Sequence, residues 1–174
     1  MNGRGRVLGK AILTAMYSYN AATNERLLAL ADDLTDDQLD APTDVGQGSL
    51  RKTISHLLLM EWINRTLCQT RAYPTVSPPI VHPCTIPTLR AFAAEEARRM
   101  RDFLAETDEE GLAIPQAVDL GGMAYQIPIW QGLVQLLTHS MQHRSEVATM
   151  LTRYGRSPGD IDFVFFAYPE LRPR

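Results

Sequence analysis

Apolar residues recur at the three- and four-residue spacing of an α-helix in four separate stretches of this chain, and the breaks between them are dense in turn formers. From Leu8 to Leu34 the periodic positions are Leu8, Ile12, Ala15, Met16, Tyr19, Leu27, Leu30 and Leu34. Residues 35–47 hold Asp36, Asp37, Asp40, Pro42, Asp44 and Gly46, which end that pattern. Ser49, a good N-cap, leads into a second helix from Leu50 to about Thr70. Leu57, Leu58, Leu59 and Met60 are consecutive within it, so its apolar surface wraps most of the circumference. Such a helix needs cover on more than one side, from the rest of a bundle or from a second subunit.

Pro74, Pro78, Pro79, Pro83 and Pro87 predict an extended crossover over Tyr73 to Pro87. Helical spacing resumes from Thr88 to Thr107 through Leu89, Phe92, Ala93, Met100, Phe103 and Leu104. Val118, Leu120, Met123, Tyr125 and Ile127 then alternate around Gly121-Gly122, the pattern of a small β-hairpin with a two-residue turn. Pro128 opens a fourth helix that runs to Tyr154 and stops at Gly155. The tail carries Ile161, Phe163, Val164, Phe165 and Phe166, too apolar to be left in water, and is expected to pack back onto the bundle or across a dimer interface. The pattern is therefore all-α: a four-helix bundle with a long Pro-rich crossover and a small β-hairpin before the last helix, in a single domain over residues 1–174. A chain of 174 residues is long enough to bury a core without disulfide or metal staples.

Charge changes the picture by exclusion. A net charge of −3 gives no general attraction for nucleic acid or anionic lipid, so neither is an expected partner. Arg98, Arg99 and Arg101 alternate with Glu95, Glu96 and Asp102 and read as a solvated helix surface. Arg4 and Arg6 precede a run that faintly resembles a signal peptide, but Lys10 and Thr14 interrupt it, and the expected location is cytoplasmic. Cys68 and Cys84 have no spacing that suggests a disulfide framework or a zinc knuckle and are expected to be reduced and structural.

The candidate chemistry lies in the fourth helix. His139 and His143, four residues apart, project the same way with Cβ atoms about 5–6 Å apart, a reach that suits one metal ion. They interrupt the apolar stripe Gly132, Leu136, His139, His143, Val147, Met150. On the second helix His56 aligns with Met60, Ile63 and Leu67. If the two helices are neighbours, three imidazoles converge on one point, and a divalent cation would satisfy nitrogens that are costly to bury unpaired. The competing interpretation pairs each imidazole with a backbone carbonyl or a buried water. Ser140 stands where a metalloprotease H-E-x-x-H motif has its glutamate, and no repeated E-x-x-H unit of a di-iron site occurs. Three histidine ligands leave a position for water or substrate, with zinc or nickel foremost and iron or copper open. Glu61 is a candidate acceptor for the second nitrogen of a ligand histidine, and Asn20 or Tyr19 candidate pocket residues, though the ordinary bundle position is the preferred reading of each. His82, in the crossover, reads as a loop residue that could in principle reach the site.

Taken in order, YNAATNERLLALADDL, GSLRKTISHLLLMEW, THSMQHRSEVATMLTRYG and SPGDIDFVFF resemble the DinB/YfiT family across nearly the whole chain. The resemblance implies a four-helix bundle, commonly a homodimer, whose metal is held by a histidine of the second helix and an H-x-x-x-H pair of the fourth. Those positions fall on His56, His139 and His143. Some members transfer low-molecular-weight thiols such as bacillithiol, or use mycothiol to isomerise maleylpyruvate. The expectation is thus a metal-dependent enzyme of the thiol S-transferase or hydrolase type acting on a small-molecule substrate, with a thiol as a possible cofactor. The alternative is a non-enzymatic metal- or ligand-binding dimeric bundle, sensory or structural. No catalytic residue beyond the metal ligands is assigned.

Overall fold

The computed structural model describes residues 8–78, 80, 84–120 and 122–171. Arg4, Arg6, Pro79, His82, Pro83 and Gly121 lie outside them. In chain order the elements are α1 (Leu8–Ala31), α2 (Asp36–Asp40), α3 (Leu50–Thr70), α4 (Ile86–Glu106), α5 (Glu109–Ala113), β1 (Pro115–Leu120), β2 (Met123–Pro128), α6 (Ile129–Arg153) and α7 (Phe163–Ala167), followed by a 3₁₀ turn at Pro169–Leu171. The all-α bundle with one hairpin is therefore present, and its four long helices are α1, α3, α4 and α6.

Local chemistry explains most of the boundaries. Ser49 accepts a hydrogen bond from the Lys52 backbone N–H and caps α3 as expected, while Gly155, at φ 72°, lies just beyond α6. Two short helices depart from expectation. The aspartate-rich stretch after α1 contains α2, because Thr35 and Gln38 form a reciprocal capping box and Asp36 and Asp37 favour the positive end of the helix dipole. The Asp108 side chain likewise caps α5. The third long helix begins at Ile86 rather than Thr88, since Thr85 caps it and Pro87 is compatible with the first turn. The first ends at Ala31 rather than Leu34.

Each long helix touches two others, in the cyclic order α1, α4, α3, α6 and back to α1. Cross-helix bonds give the directions. Lys10 reaches the Ala105 carbonyl and Arg90 reaches Asp32, so α1 and α4 are antiparallel. Arg51 reaches the Cys84 carbonyl and Arg65 reaches Glu96, so α3 and α4 are parallel. A parallel pair needs a connection that returns the full length of the bundle. Residues 71–85 provide it, with a reach of up to roughly 50 Å against about 30 Å for a helix as long as α3.

The interior divides into two apolar clusters with a polar belt between them. One gathers Leu27, Leu28, Leu50, Ile54, Leu58, Leu89, Val147 and Leu151. The other gathers Leu13, Tyr17, Met100, Phe103, Leu104, Ile129, Leu133 and Leu136. Between these levels, buried Asn20 and Asn24 of α1, Arg65 of α3, Glu96 of α4, and Ser140 and Arg144 of α6 face one another. The expected apolar stripe of α1 is correspondingly off: Ile12 is 54 % exposed and Ala15 is exposed, while Asn20, Thr23 and Asn24 are buried. Glu96 is also inside, forked onto Arg65 at 2.6 and 3.1 Å, so of the expected charged cluster Glu95, Arg98, Arg99 and Asp102 form solvated ion pairs.

α3 meets α6 on one flank and α4 on another, so cover for its wide apolar surface comes from within the chain. The hairpin extends beyond Val118 and Ile127: Pro115 pairs with Pro128 and Leu120 with Met123. The tail returns to α1, where Phe163 and Phe166 set ring edges against Tyr19 at 5.5 and 5.8 Å, although Phe163 and Val164 keep exposed surface.

Candidate metal centre

α3 and α6 run antiparallel, with Glu61 opposite Ser140 and His56 opposite His143. That pairing brings His56, His139 and His143 together: one ring nitrogen from each lies within 4.8 Å of the others. The ring centroids are 5.4 Å apart for His56 and His139, 4.8 Å for His56 and His143, and 4.5 Å for His139 and His143. The planes meet edge to face, at 61°, 82° and 80°, so the rings do not stack. His143 is buried and the other two are half-buried.

Two observations bear on whether a cation suits this trio. Nε2 of His139 is buried and has no hydrogen-bond partner among the described residues, an expensive state for an imidazole nitrogen unless something binds it. Burial, reinforced by the neighbouring imidazoles, also pulls His56 and His139 below the ordinary histidine pKa. Neutral nitrogen donors gathered at one point could bind a metal ion, and the residues present fit that role.

One functional neighbour was not anticipated. Glu146, one turn beyond His143, places Oε2 2.6 Å from Nδ1 of His143. The carboxylate accepts from Nδ1–H, fixes the ring orientation and leaves Nε2 of His143 as the nitrogen available to a ligand. The signal was present in the sequence as His143-x-x-Glu146, a spacing that puts both side chains on one helix face. Of the two roles considered for Glu61, its contacts are those of a bundle residue: it accepts from Asn20 at 2.7 Å, Asn24 at 3.0 Å and Ser140 at 3.1 Å, and so ties three helices together in the belt. Asn20 also accepts from Arg144, whose guanidinium lies 5.4 Å from the centre of the Tyr19 ring. The Tyr19 hydroxyl donates to the Ile161 carbonyl at 2.7 Å. These residues build the wall behind the histidines. Cys68 and Cys84 form no disulfide, and burial pushes the Cys68 thiol up to about 11, so it is protonated at neutral pH.

A cavity of about 700 Å³ opens beside the trio, between α3, α6 and the hairpin, with His139 in its wall. Met60, Ile63 and Leu67, which share the face of His56, line it together with Val118, Ile127 and Leu136. A second cavity, of about 270 Å³, lies at the polar belt among Asn20, Asn24, Glu61, Arg65 and Glu96 and includes none of the three histidines in its lining. The cavity at His139 can therefore bring a small molecule to that imidazole. Among the described residues no helix is long and apolar enough to cross a membrane.

No curated protein matches this chain. A model of the DinB family matches residues 8–174, a span that includes all four long helices and the three histidines. That match, with the helical bundle and the imidazole trio it encloses, establishes that the chain belongs to the DinB family.

Proposed function

We propose that the protein is a metal-dependent enzyme acting on a small molecule, of the thiol S-transferase or hydrolase type. The observation that carries this reading is the buried Nε2 of His139, without a partner among the described residues, in the wall of a largely apolar cavity. His56, His139 and His143 would hold one divalent cation through neutral nitrogens, a donor set suited to zinc, nickel, iron or copper. Such an ion lowers the pKa of a coordinated thiol or water, which supplies a nucleophile at neutral pH. The chain's own residues do the rest. Glu146 holds the His143 ring through Nδ1, the belt behind it keeps α3 and α6 in register, and the apolar cavity wall orients substrate and excludes water.

Glu146→Gln is expected to weaken zinc affinity about ten-fold or more, because the amide replaces a charged acceptor that orients the ligand. Competition against a chelating dye measures it; unchanged affinity would remove Glu146 from the site. The activity itself is tested by offering metal-loaded protein bacillithiol, mycothiol and glutathione with electrophilic acceptors, beside a panel of ester and amide substrates. Turnover that disappears on chelation and returns with metal is the expected result. Silence across both panels in protein that carries stoichiometric metal would favour the non-enzymatic reading, a sensory or structural bundle. The two apolar clusters on either side of the belt support catalysis over a structural metal, since they hold the helices without help from the histidines.

The same reading takes residues 1–174 as one domain, working in the cytoplasm as a homodimer. Ile12 of α1 with Trp130 and Val134 of α6, exposed and lining one groove, supports the dimer.

A further inference from the structure

Gln116 is the buried member among several polar lining residues of the large cavity that the proposed chemistry does not use. It lies on the inner side of β1, where burial alternates: Gln116 and Val118 are buried, and Pro115, Ala117 and Asp119 are exposed. Although only 2 % of Gln116 is exposed, its Oε1 has no hydrogen-bond partner among the described residues. Its Nε2 faces the Cys68 sulfur at 3.6 Å. A buried amide end without a partner costs stability that leucine in its place would not.

The surroundings are shaped for it. A Cβ on Gly132 would stand 2.6 Å from the Gln116 Nε2, so the absence of a side chain on α6 is what admits the amide. Gly132 and His139 are seven residues apart on nearly the same face of α6, which puts Gln116 about 10 Å from the histidines along the cavity. Charge narrows the class of occupant. Among the described lining residues there is no lysine or arginine, and Asp119 at the rim is the carboxylate. An anionic group would meet no counter-charge in this wall, whereas a neutral hydrogen-bonding group would meet Gln116.

We infer that the cavity selects an uncharged, largely apolar molecule whose hydrogen-bonding group is read by the Gln116 amide about 10 Å from the reacting end. This rests on the reading of the histidines as the reaction centre, and it makes Gln116 a specificity residue rather than a catalytic one. An anionic group at the Gln116 end would meet no lysine or arginine among the described lining residues.

The test compares phenylbutyramide with phenylbutyrate, an apolar body ending in a neutral amide or in a carboxylate. Both are titrated by calorimetry into the full-length chain after chelator treatment, so that no metal attracts the carboxylate. The amide is expected to bind about ten-fold more tightly than the acid. Gln116→Leu keeps the volume and removes the polar end, and it should reduce amide affinity about ten-fold while leaving that of the acid unchanged. Gly132→Ala, which pushes the amide aside, should do the same, with thermal melts confirming that both variants fold. Equal binding of amide and acid, no loss in either variant, or no binding of either probe at millimolar concentration would each overturn the inference. Elemental analysis of the untreated protein separates the two ideas: protein without metal that keeps the amide preference rejects the metalloenzyme reading alone, and metal-bearing protein without the preference rejects this one alone.

Discussion

Alanine at any one of His56, His139 or His143 is expected to take the bound divalent ion from about one per chain to less than about a tenth. Three protein ligands are the usual set for a catalytic ion, and the loss of one leaves two, which rarely retain a metal through purification. One nitrogen of each ring already lies within 4.8 Å of the others and the rings are carried on α3 and α6, so the chelate is preorganised and each donor matters. The fold should survive in all three variants. His56 and His139 are half-buried, and His143→Ala removes a side chain whose one hydrogen-bond partner, Glu146, retains solvent exposure and can be rehydrated. Elemental analysis of tag-free protein beside its melting curve measures both effects. Parent protein free of metal after growth with zinc, nickel, iron and copper would end the metal assignment, as would metal retained in all three variants.

Glu96→Ala should destabilise the fold by about 3–5 kcal/mol, the largest effect expected outside the histidines. Arg65 and Glu96 are each 95 % buried as side chains and make two charge-assisted bonds to one another. Removing the carboxylate leaves a guanidinium in the interior whose remaining hydrogen bond among the described residues is to Gln69, at 2.9 Å, and an uncompensated buried charge is costly. In a chain of this size the melting temperature should fall by roughly 10 °C. Replacing both partners, as Arg65→Met with Glu96→Leu, should recover most of the loss, because no charge then remains to be paired. Calorimetry of the single and double variants decides it. A single variant within about 1 kcal/mol of the parent would mean that water reaches the pair and that the belt is not a desolvated layer.

The sequence by itself determined the four long helices, the crossover, the hairpin and the identity of the three histidines, because these rest on local signals. Hydrophobic period, caps, proline runs and an i, i+4 pair are written within one or two turns of chain. The tertiary structure decided which polar residues go inside. Asn20, Asn24, Arg65, Glu96 and Arg144 look like surface residues in a one-dimensional pattern, since burial of a polar group is tolerated only when a partner arrives from another helix, and that partner is not adjacent in sequence. The same reason hid the gap that Gly132 leaves for Gln116, which exists only once β1 lies against α6. Glu146 was within reach, one turn from His143, but its contact with Nδ1 became meaningful only when α3 delivered His56 to the other side of the ring. Local order chose the elements; contacts between helices chose what the elements enclose.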